Sequence, residues 1–240
     1  MHTLVLDRHH PEQPPADVAK TWLTAFRSAF DFGAMTCPAS QLADPSLAAW
    51  IGARGVCVDV ESAADLDTAL SVGVAPARIV LHGSDSDDAL LRRDVEVGIG
   101  HCVIGSVLQA ANLATVARRR IPVTLGVTED GTGPEAAVLS SGRLQPVGMH
   151  MRVDDIPGLG PATSLVIAKM GDVRRRRGLL LTRVTLADVD LRGATPRLMA
   201  LAAAAIEDAV DESCARHRFP RPTVVLSPPT TDRTHGRFAA

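Results

Sequence analysis

The chain has 240 residues, of which 46% are apolar and 22% are charged, so it holds enough apolar material for a sizeable buried core. Its 25 basic and 27 acidic side chains leave a formal net charge of -2, which argues against nucleic acid or an anionic membrane as a general partner. No apolar run approaches the roughly 20 residues that a membrane span requires. Charged residues interrupt the N-terminus before the apolar core of a signal peptide forms, so we expect a cytoplasmic chain.

Eight short β-rich runs recur along the chain, with helical patterns between them. Most are continuously apolar, which is typical of strands buried on both faces of a parallel sheet. This rhythm predicts a (β/α)8 TIM barrel over residues 30–227, with a lead-in and helix over residues 1–29 and a tail over residues 228–240. A doubly wound sheet is the alternative, although no G-x-G-x-x-G follows a strand. The predicted strands cover residues 30–35, 55–60, 78–82, 101–106, 122–127, 147–153, 183–189 and 223–226, with Ile79, Val80, Val103, Leu125 and Val224 expected in the core.

Helices are expected between the strands. Ser62 is a good N-cap for a helix over residues 62–72, and the longest helix, over residues 195–217, has Pro196 in its first turn. A helix over residues 108–120 would end in three arginines, which suit a helix C-terminus. Glycine and serine in residues 129–145 predict a loop.

Cysteine and lysine usage restricts the chemistry. The four cysteines are widely spaced without a C-x-x-C pair, which favours free thiols over disulfides or zinc ligands. Of the 25 basic residues, all but Lys20 and Lys169 are arginine. Any reaction that needs a lysine amine therefore has two candidates.

One long segment resembles a known family. Residues 59–83 read D-V-E-S-A-A-D-L-D-T-A-L-S-V-G-V-A-P-A-R-I-V-L-H-G, which is similar to the pattern D-V-x-S-x-x-E-L-x-x-A-L-x-x-G-V-x-P-x-R-I-V-x-x-G of diaminopimelate decarboxylases. Residues 148–153, G-M-H-M-R-V, resemble the G-L-H-x-H-V of that family. The resemblance covers most of residues 30–155. It implies the alanine-racemase-like barrel of fold-type III pyridoxal-phosphate (PLP) enzymes.

The resemblance also implies where PLP would be held, and those positions differ in this chain. The family's lysine, in Y-A-x-K-A-N-P, matches Met35, whose thioether cannot form an imine. The ring-stacking histidine matches Arg152, and the phosphate-binding serine matches Asp155, whose carboxylate would repel phosphate. The acid of E-P-G-R matches Ser227, and the phosphate-cradling G-G-G matches residues 191–193, L-R-G. We therefore expect that PLP binding has been lost, together with the family's second domain.

Candidate ligand-binding residues follow the predicted strands, because barrel enzymes place their chemistry at the C-terminal strand ends. His150 and Arg152 alternate on one strand and share a face, which predicts either an anion site or an Arg152 ion pair with Asp155 or Asp190. Asp59 with His82 predicts acid–base chemistry, a metal site or a buried histidine bonded to the backbone. No third ligand has a metal-site spacing, so no metal is predicted. The candidates are Asp59, His82, Glu129, His150, Arg152, Asp155 and Asp190.

Three functions remain open at this point. The first is a catalytically inactive relative of the PLP-dependent decarboxylases, retained as a binding or regulatory barrel that pairs with a protein partner or an active relative. The second is an enzyme with altered, PLP-independent chemistry on a small anionic metabolite. The third is a PLP-dependent decarboxylase or racemase that binds its cofactor in an atypical way. The sequence identifies neither the ligand nor the oligomeric state.

Overall fold

Eight parallel strands close into one barrel in the computed structural model, which describes residues 24, 28–30, 33–82, 88–127, 133–189 and 194–229. Each strand pairs with the next along the chain, and the last pairs with the first. The (β/α)8 prediction is confirmed, and the doubly wound alternative is wrong because the sheet has no open edge. The strands are β1 (Gly33–Pro38), β2 (Cys57–Val60), β3 (Ile79–His82), β4 (His101–Ile104), β5 (Ile121–Gly126), β6 (Leu144–Arg152), β7 (Arg183–Ala187) and β8 (Thr223–Ser227).

An α-helix follows each of the first seven strands in the described part of the chain. The predicted caps are present: the Ser62 hydroxyl accepts a hydrogen bond from the amide of Asp65, and the Thr195 hydroxyl accepts one from the amide of Leu198. The helices form a ring around the barrel. They are α1 (Pro45–Arg54), α2 (Ala63–Ser71), α3 (Asp88–Val97), α4 (Val107–Val116), α5 (Glu135–Ser140), α6 (Leu159–Arg177) and α7 (Pro196–His217).

Two sequence predictions need correction. The helix α4 ends at Val116, so the three arginines of residues 118–120 follow the helix instead of forming its last turn. The segment over residues 129–145, expected as a loop, contains α5 and the start of β6. A helix of six residues shows less than two turns of periodicity, and Pro146 obscures the start of β6 because proline is rare inside strands.

The strands bury side chains on both faces of the closed sheet. Outward residues such as Ile79, Leu125 and Val224 belong to the apolar cluster that joins the strands to the helices. Val80 and Val103 are also buried but lie outside that cluster, because alternate strand residues point into the barrel interior, called the bore below. All five predicted core residues are therefore buried, on two different sides of the sheet.

The bore is more polar than a barrel interior packed with branched aliphatic side chains. Buried polar groups need hydrogen-bond partners, so their pairing decides what the bore does. The buried polar side chains that the strands contribute are Thr36, Asp59, His101, Thr124, His150, Thr185 and Ser227.

No helix among the described residues is long and apolar enough to cross a membrane. All four cysteines are free thiols, in agreement with the prediction from their spacing.

Candidate functional site

A buried carboxylate organises the C-terminal end of the bore, called the mouth below. Asp59, the third residue of β2, is 2% exposed. Its Oδ2 accepts hydrogen bonds from the hydroxyl of Thr36 on β1 and from Ser227 Oγ on β8, the latter at 2.7 Å. Its Oδ1 lies 3.0 Å from Nε2 of His82 on β3. One side chain thus connects four strands around the point where the barrel closes.

Asp59 is held in its ionised form by these partners. Burial raises the pKa of this carboxyl, but the charge and hydrogen bond of His82 and the bonds from Ser227 and Thr36 outweigh burial and hold the pKa below its ordinary value of 3.8. The structure therefore places a desolvated negative charge in the mouth, already surrounded by donors of the protein itself.

Two histidines face each other beside this carboxylate. The ring centroids of His82 and His150 are 5.7 Å apart at an interplanar angle of 66°, an edge-to-face arrangement that is favourable for aromatic rings. The structure thus brings together three sequence-predicted residues, Asp59, His82 and His150. Among the described residues no group of three or more potential ligands could hold a metal ion.

Arg152 forms an ion pair that sequence reasoning did not identify. Its Nε donates a hydrogen bond to Oδ2 of Asp188, the residue after β7, a partner that the sequence did not predict. Asp188 has a φ of 64°, a left-handed conformation that aspartate adopts more readily than most residues. Glu129 and Asp190 lie outside the described residues. The structure therefore pairs Arg152 with a carboxylate of the protein itself.

Asp155 has a local structural role. Its Oδ1 accepts a hydrogen bond of 2.8 Å from the backbone amide of Gly158, directly before α6. A carboxylate at this position complements the partial positive charge of the helix N-terminus. The backbone amide that could contact an anionic ligand is therefore already bonded to a carboxylate of the protein itself.

Met35 does not face the mouth. Its register partner on β8 is Leu226, and both side chains belong to the apolar cluster outside the bore. The next residue, Thr36, points inward and bonds Asp59. The sequence match assigned Met35 to the lysine position of the family, whereas the inward side chain belongs to Thr36, because adjacent strand residues point to opposite faces.

Because Met35 faces outward and Thr36 faces inward, we expect lysine to destabilise the fold more at position 35 than at position 36. Met35→Lys would place an ammonium among apolar side chains and is expected to destabilise the fold by about 2 kcal/mol or more beyond Thr36→Lys, since an unpaired buried charge is costly. Thr36→Lys would place the ammonium beside the Asp59 carboxylate. Urea unfolding of both variants measures the difference. If Met35→Lys is the better tolerated variant, the assignment of the two faces is wrong.

The opposite end of the bore holds a second polar group. His101, the first residue of β4, is hydrogen-bonded through Nε2 to the hydroxyl of Thr124 on β5. Burial, followed by the charge of Arg183, lowers the pKa of His101 to about 3, so the ring is neutral at neutral pH. His101 and Arg183 line a cavity of about 340 Å³ with Cys57, whose pKa burial raises. None of these residues was predicted as a site, because each begins a strand and so lies at the end of the barrel opposite the mouth.

Comparison with known proteins agrees with the fold. A family model described as the pyridoxal binding domain of pyridoxal-dependent decarboxylases matches residues 18–154, more than half of the chain. The chain belongs to this decarboxylase family. The resemblance to diaminopimelate decarboxylases is thereby confirmed at the level of the family.

Curated relatives include diaminopimelate decarboxylases of mycobacteria. The protein from Mycobacterium bovis is 27% identical over 224 residues, which covers 76% of this chain and 50% of the relative. The protein from Mycobacterium leprae is 35% identical over 71 residues, or 30% of this chain and 15% of the relative. The chain thus spans half the length of the M. bovis protein.

Solved structures share the barrel at low sequence identity. Diaminopimelate decarboxylase from M. jannaschii, in complex with L-lysine, has a TM-score of 0.76 at 14% identity and covers 90% of this chain and 59% of its own. Lysine/ornithine decarboxylase from Vibrio vulnificus, in complex with putrescine, has a TM-score of 0.72 at 15% identity over 89% of this chain and 61% of its own. At such identity the likeness establishes the fold alone.

The side chains that the structure describes around the mouth do not fit a pyridoxal cofactor. Imine formation needs a lysine amine, and the sequence contains only Lys20, outside the described residues, and Lys169, within α6 of the outer helix ring. The inward residue near the end of β1 is Thr36, whose hydroxyl already donates a hydrogen bond to Asp59. Asp59 and Asp155 also contribute two carboxylates at the C-terminal strand ends, and negative charge there disfavours the phosphate of such a cofactor.

Proposed function

We propose that this barrel is a catalytically inactive relative of the pyridoxal-dependent decarboxylases that functions by binding a ligand or a protein partner, such as an active relative. The observation that supports the proposal most directly is the Asp59 network. The inward side chain near the end of β1 is Thr36, and its hydroxyl donates a hydrogen bond to the buried carboxylate of Asp59. A position that must supply a free amine for PLP chemistry instead supplies part of the internal hydrogen bonding of the barrel.

Electrostatics support the same proposal. The mouth contains the ionised Asp59 and the Arg152–Asp188 pair, in which the arginine side chain is 59% exposed and the aspartate 19% exposed. Because Arg152 is paired, the described residues of the mouth offer a dianionic phosphate little net attraction. A small anionic metabolite is therefore a weaker candidate at this end of the barrel than the sequence alone indicated.

Incubation with PLP tests the proposal. The protein is expected to show no imine absorbance band and, after borohydride reduction, no adduct at the mouth by peptide mapping, because no strand residue carries an amine. An active diaminopimelate decarboxylase is the positive control, and Lys20→Arg/Lys169→Arg removes adventitious labelling of the two side-chain amines. A stable imine on Lys20 or Lys169 together with turnover of an amino acid would refute the proposal that the barrel is catalytically inactive.

A second candidate function is PLP-independent acid–base chemistry, favoured by the 3.0 Å contact between Asp59 and His82 with His150 beside it. A carboxylate that orients an imidazole is a common arrangement for a general base. An NMR screen of amino acids and short carboxylic acids distinguishes the candidates. Turnover that is lost in His82→Gln would replace the binding proposal with this one.

A further inference from the structure

A cleft rich in arginine lies at the N-terminal face of the barrel, opposite the mouth. The ends of α3 and α4 and the segments that lead into β5 and β6 enclose about 720 Å³, which is within the range of small-molecule sites. The arginines that line it, called the arginine cleft below, are Arg92, Arg118, Arg119, Arg120 and Arg143.

The charge of the arginine cleft contrasts with that of the whole chain. Five of its lining residues are arginines, and Glu96 is the single acidic residue among those the structure describes around it, whereas the chain carries a formal net charge of -2. Glu96 lies 3.8 Å from Arg118, with both side chains largely exposed, and an exposed pair of this kind is weak. The cleft therefore retains a strong local excess of positive charge.

Two of the guanidinium groups are fixed in place by the fold. Arg119 Nη2 donates to the carbonyl of Ile99 at 3.0 Å, and Arg143 Nη1 donates to the carbonyl of Ala114 at 3.3 Å. Each guanidinium has five N–H donors, so one bond to a carbonyl leaves several for an anion. Because these groups are already positioned, binding an anion would cost less side-chain entropy than at mobile surface arginines.

We propose that the arginine cleft binds a small polyanion that carries two or more phosphate or carboxylate groups. Planar guanidinium groups bind such groups through paired hydrogen bonds, and several arginines around one volume match several charges on one ligand. The described lining residues include no aromatic side chain, so the cleft offers no stacking surface for a nucleobase. The proposal is independent of the mouth and does not rest on the function proposed for it.

Helix capping is the competing explanation for these arginines, since cations stabilise helix C-termini. Substituting Arg119 or Arg143 would not separate anion binding from capping, because each of these arginines donates a hydrogen bond to a backbone carbonyl. Arg118 and Arg120 are more than one-third exposed and are the better targets. Arg118→Gln/Arg120→Gln is matched by Arg175→Gln/Arg216→Gln, which removes the same charge from two exposed arginines that pair with Asp172 and Glu212 elsewhere on the surface.

Isothermal titration of the full chain with inorganic tripolyphosphate at low ionic strength tests the proposal. Binding is expected to weaken at least tenfold in Arg118→Gln/Arg120→Gln and to change less than twofold in the control, while both variants keep the wild-type melting temperature. ATP is expected to bind no more tightly than tripolyphosphate. No binding by the wild type, or equal weakening in both variants, would overturn the proposal. Tighter binding of a single-stranded oligonucleotide than of tripolyphosphate would overturn it in favour of a nucleic-acid surface.

Discussion

Replacing Asp59 with alanine is expected to lower the free energy of unfolding by about 3 to 5 kcal/mol, the range seen when one member of a buried charged network is removed. The carboxylate accepts hydrogen bonds from Thr36 and Ser227 and contacts His82. Its loss leaves two buried hydroxyl donors and the partly buried ring of His82, on three other strands, without this acceptor. Equilibrium unfolding in urea, monitored by circular dichroism, measures the change.

Asp67→Ala is the matched control for this variant, because Asp67 is an exposed carboxylate that pairs with Arg93 on the surface. It is expected to leave the unfolding free energy nearly unchanged. Since the folded pKa of Asp59 is lowered, its stabilising contribution is present above the unfolded pKa and is lost as the pH falls through the folded pKa. An Asp59→Ala variant as stable as Asp67→Ala would show that the network contributes little to the barrel.

Acidification from pH 7 to pH 4 is expected to remove about 3 kcal/mol of stability through His101 alone, at 1.36 kcal/mol per pKa unit. The folded pKa of His101 is about 3, against an ordinary value of 6.5. Between these values the unfolded chain binds a proton that the folded chain does not, so stability is complete above pH 6.5 and declines below it. The loss follows from burial of the ring, with a smaller effect of the Arg183 charge.

The variant His101→Gln tests this prediction, because glutamine keeps an amide for the Thr124 hydroxyl and takes up no proton. Its unfolding free energy is expected to decline less steeply between pH 7 and pH 4, by about the same 3 kcal/mol. Equal slopes for His101→Gln and the wild type would show that the ring is protonated in the folded state.

The sequence predicted the barrel because strands buried on both faces leave continuous apolar runs such as residues 79–81 of β3. It missed α5 because six residues show too little periodicity. Asp59, His82 and His150 were found because they stand near strand ends. Asp188 was missed because its contact with Arg152 depends on a left-handed residue beyond β7, and such a backbone conformation leaves no mark in a hydrophobic pattern.

The direction of Met35 shows where a match to a family pattern reaches its limit. The sequence aligned Met35 with the lysine of the family, but the register with Leu226 places it outside the bore. Adjacent strand residues are distinguished only by their partners on neighbouring strands. Those partners lie far along the chain, so no local motif contains this information.

The hydrogen bond between Asp59 and Ser227 joins residues 168 positions apart, which has a consequence for the order of folding. During synthesis the carboxylate of Asp59 is made early, whereas its Ser227 donor is made only with the last strand. Contacts of such high sequence separation form late, because loop closure costs entropy before the contact is gained. Any nascent chain that ends before β8 therefore lacks the Ser227 donor, and the internal solvation of the Asp59 charge is completed only after β8 has been made.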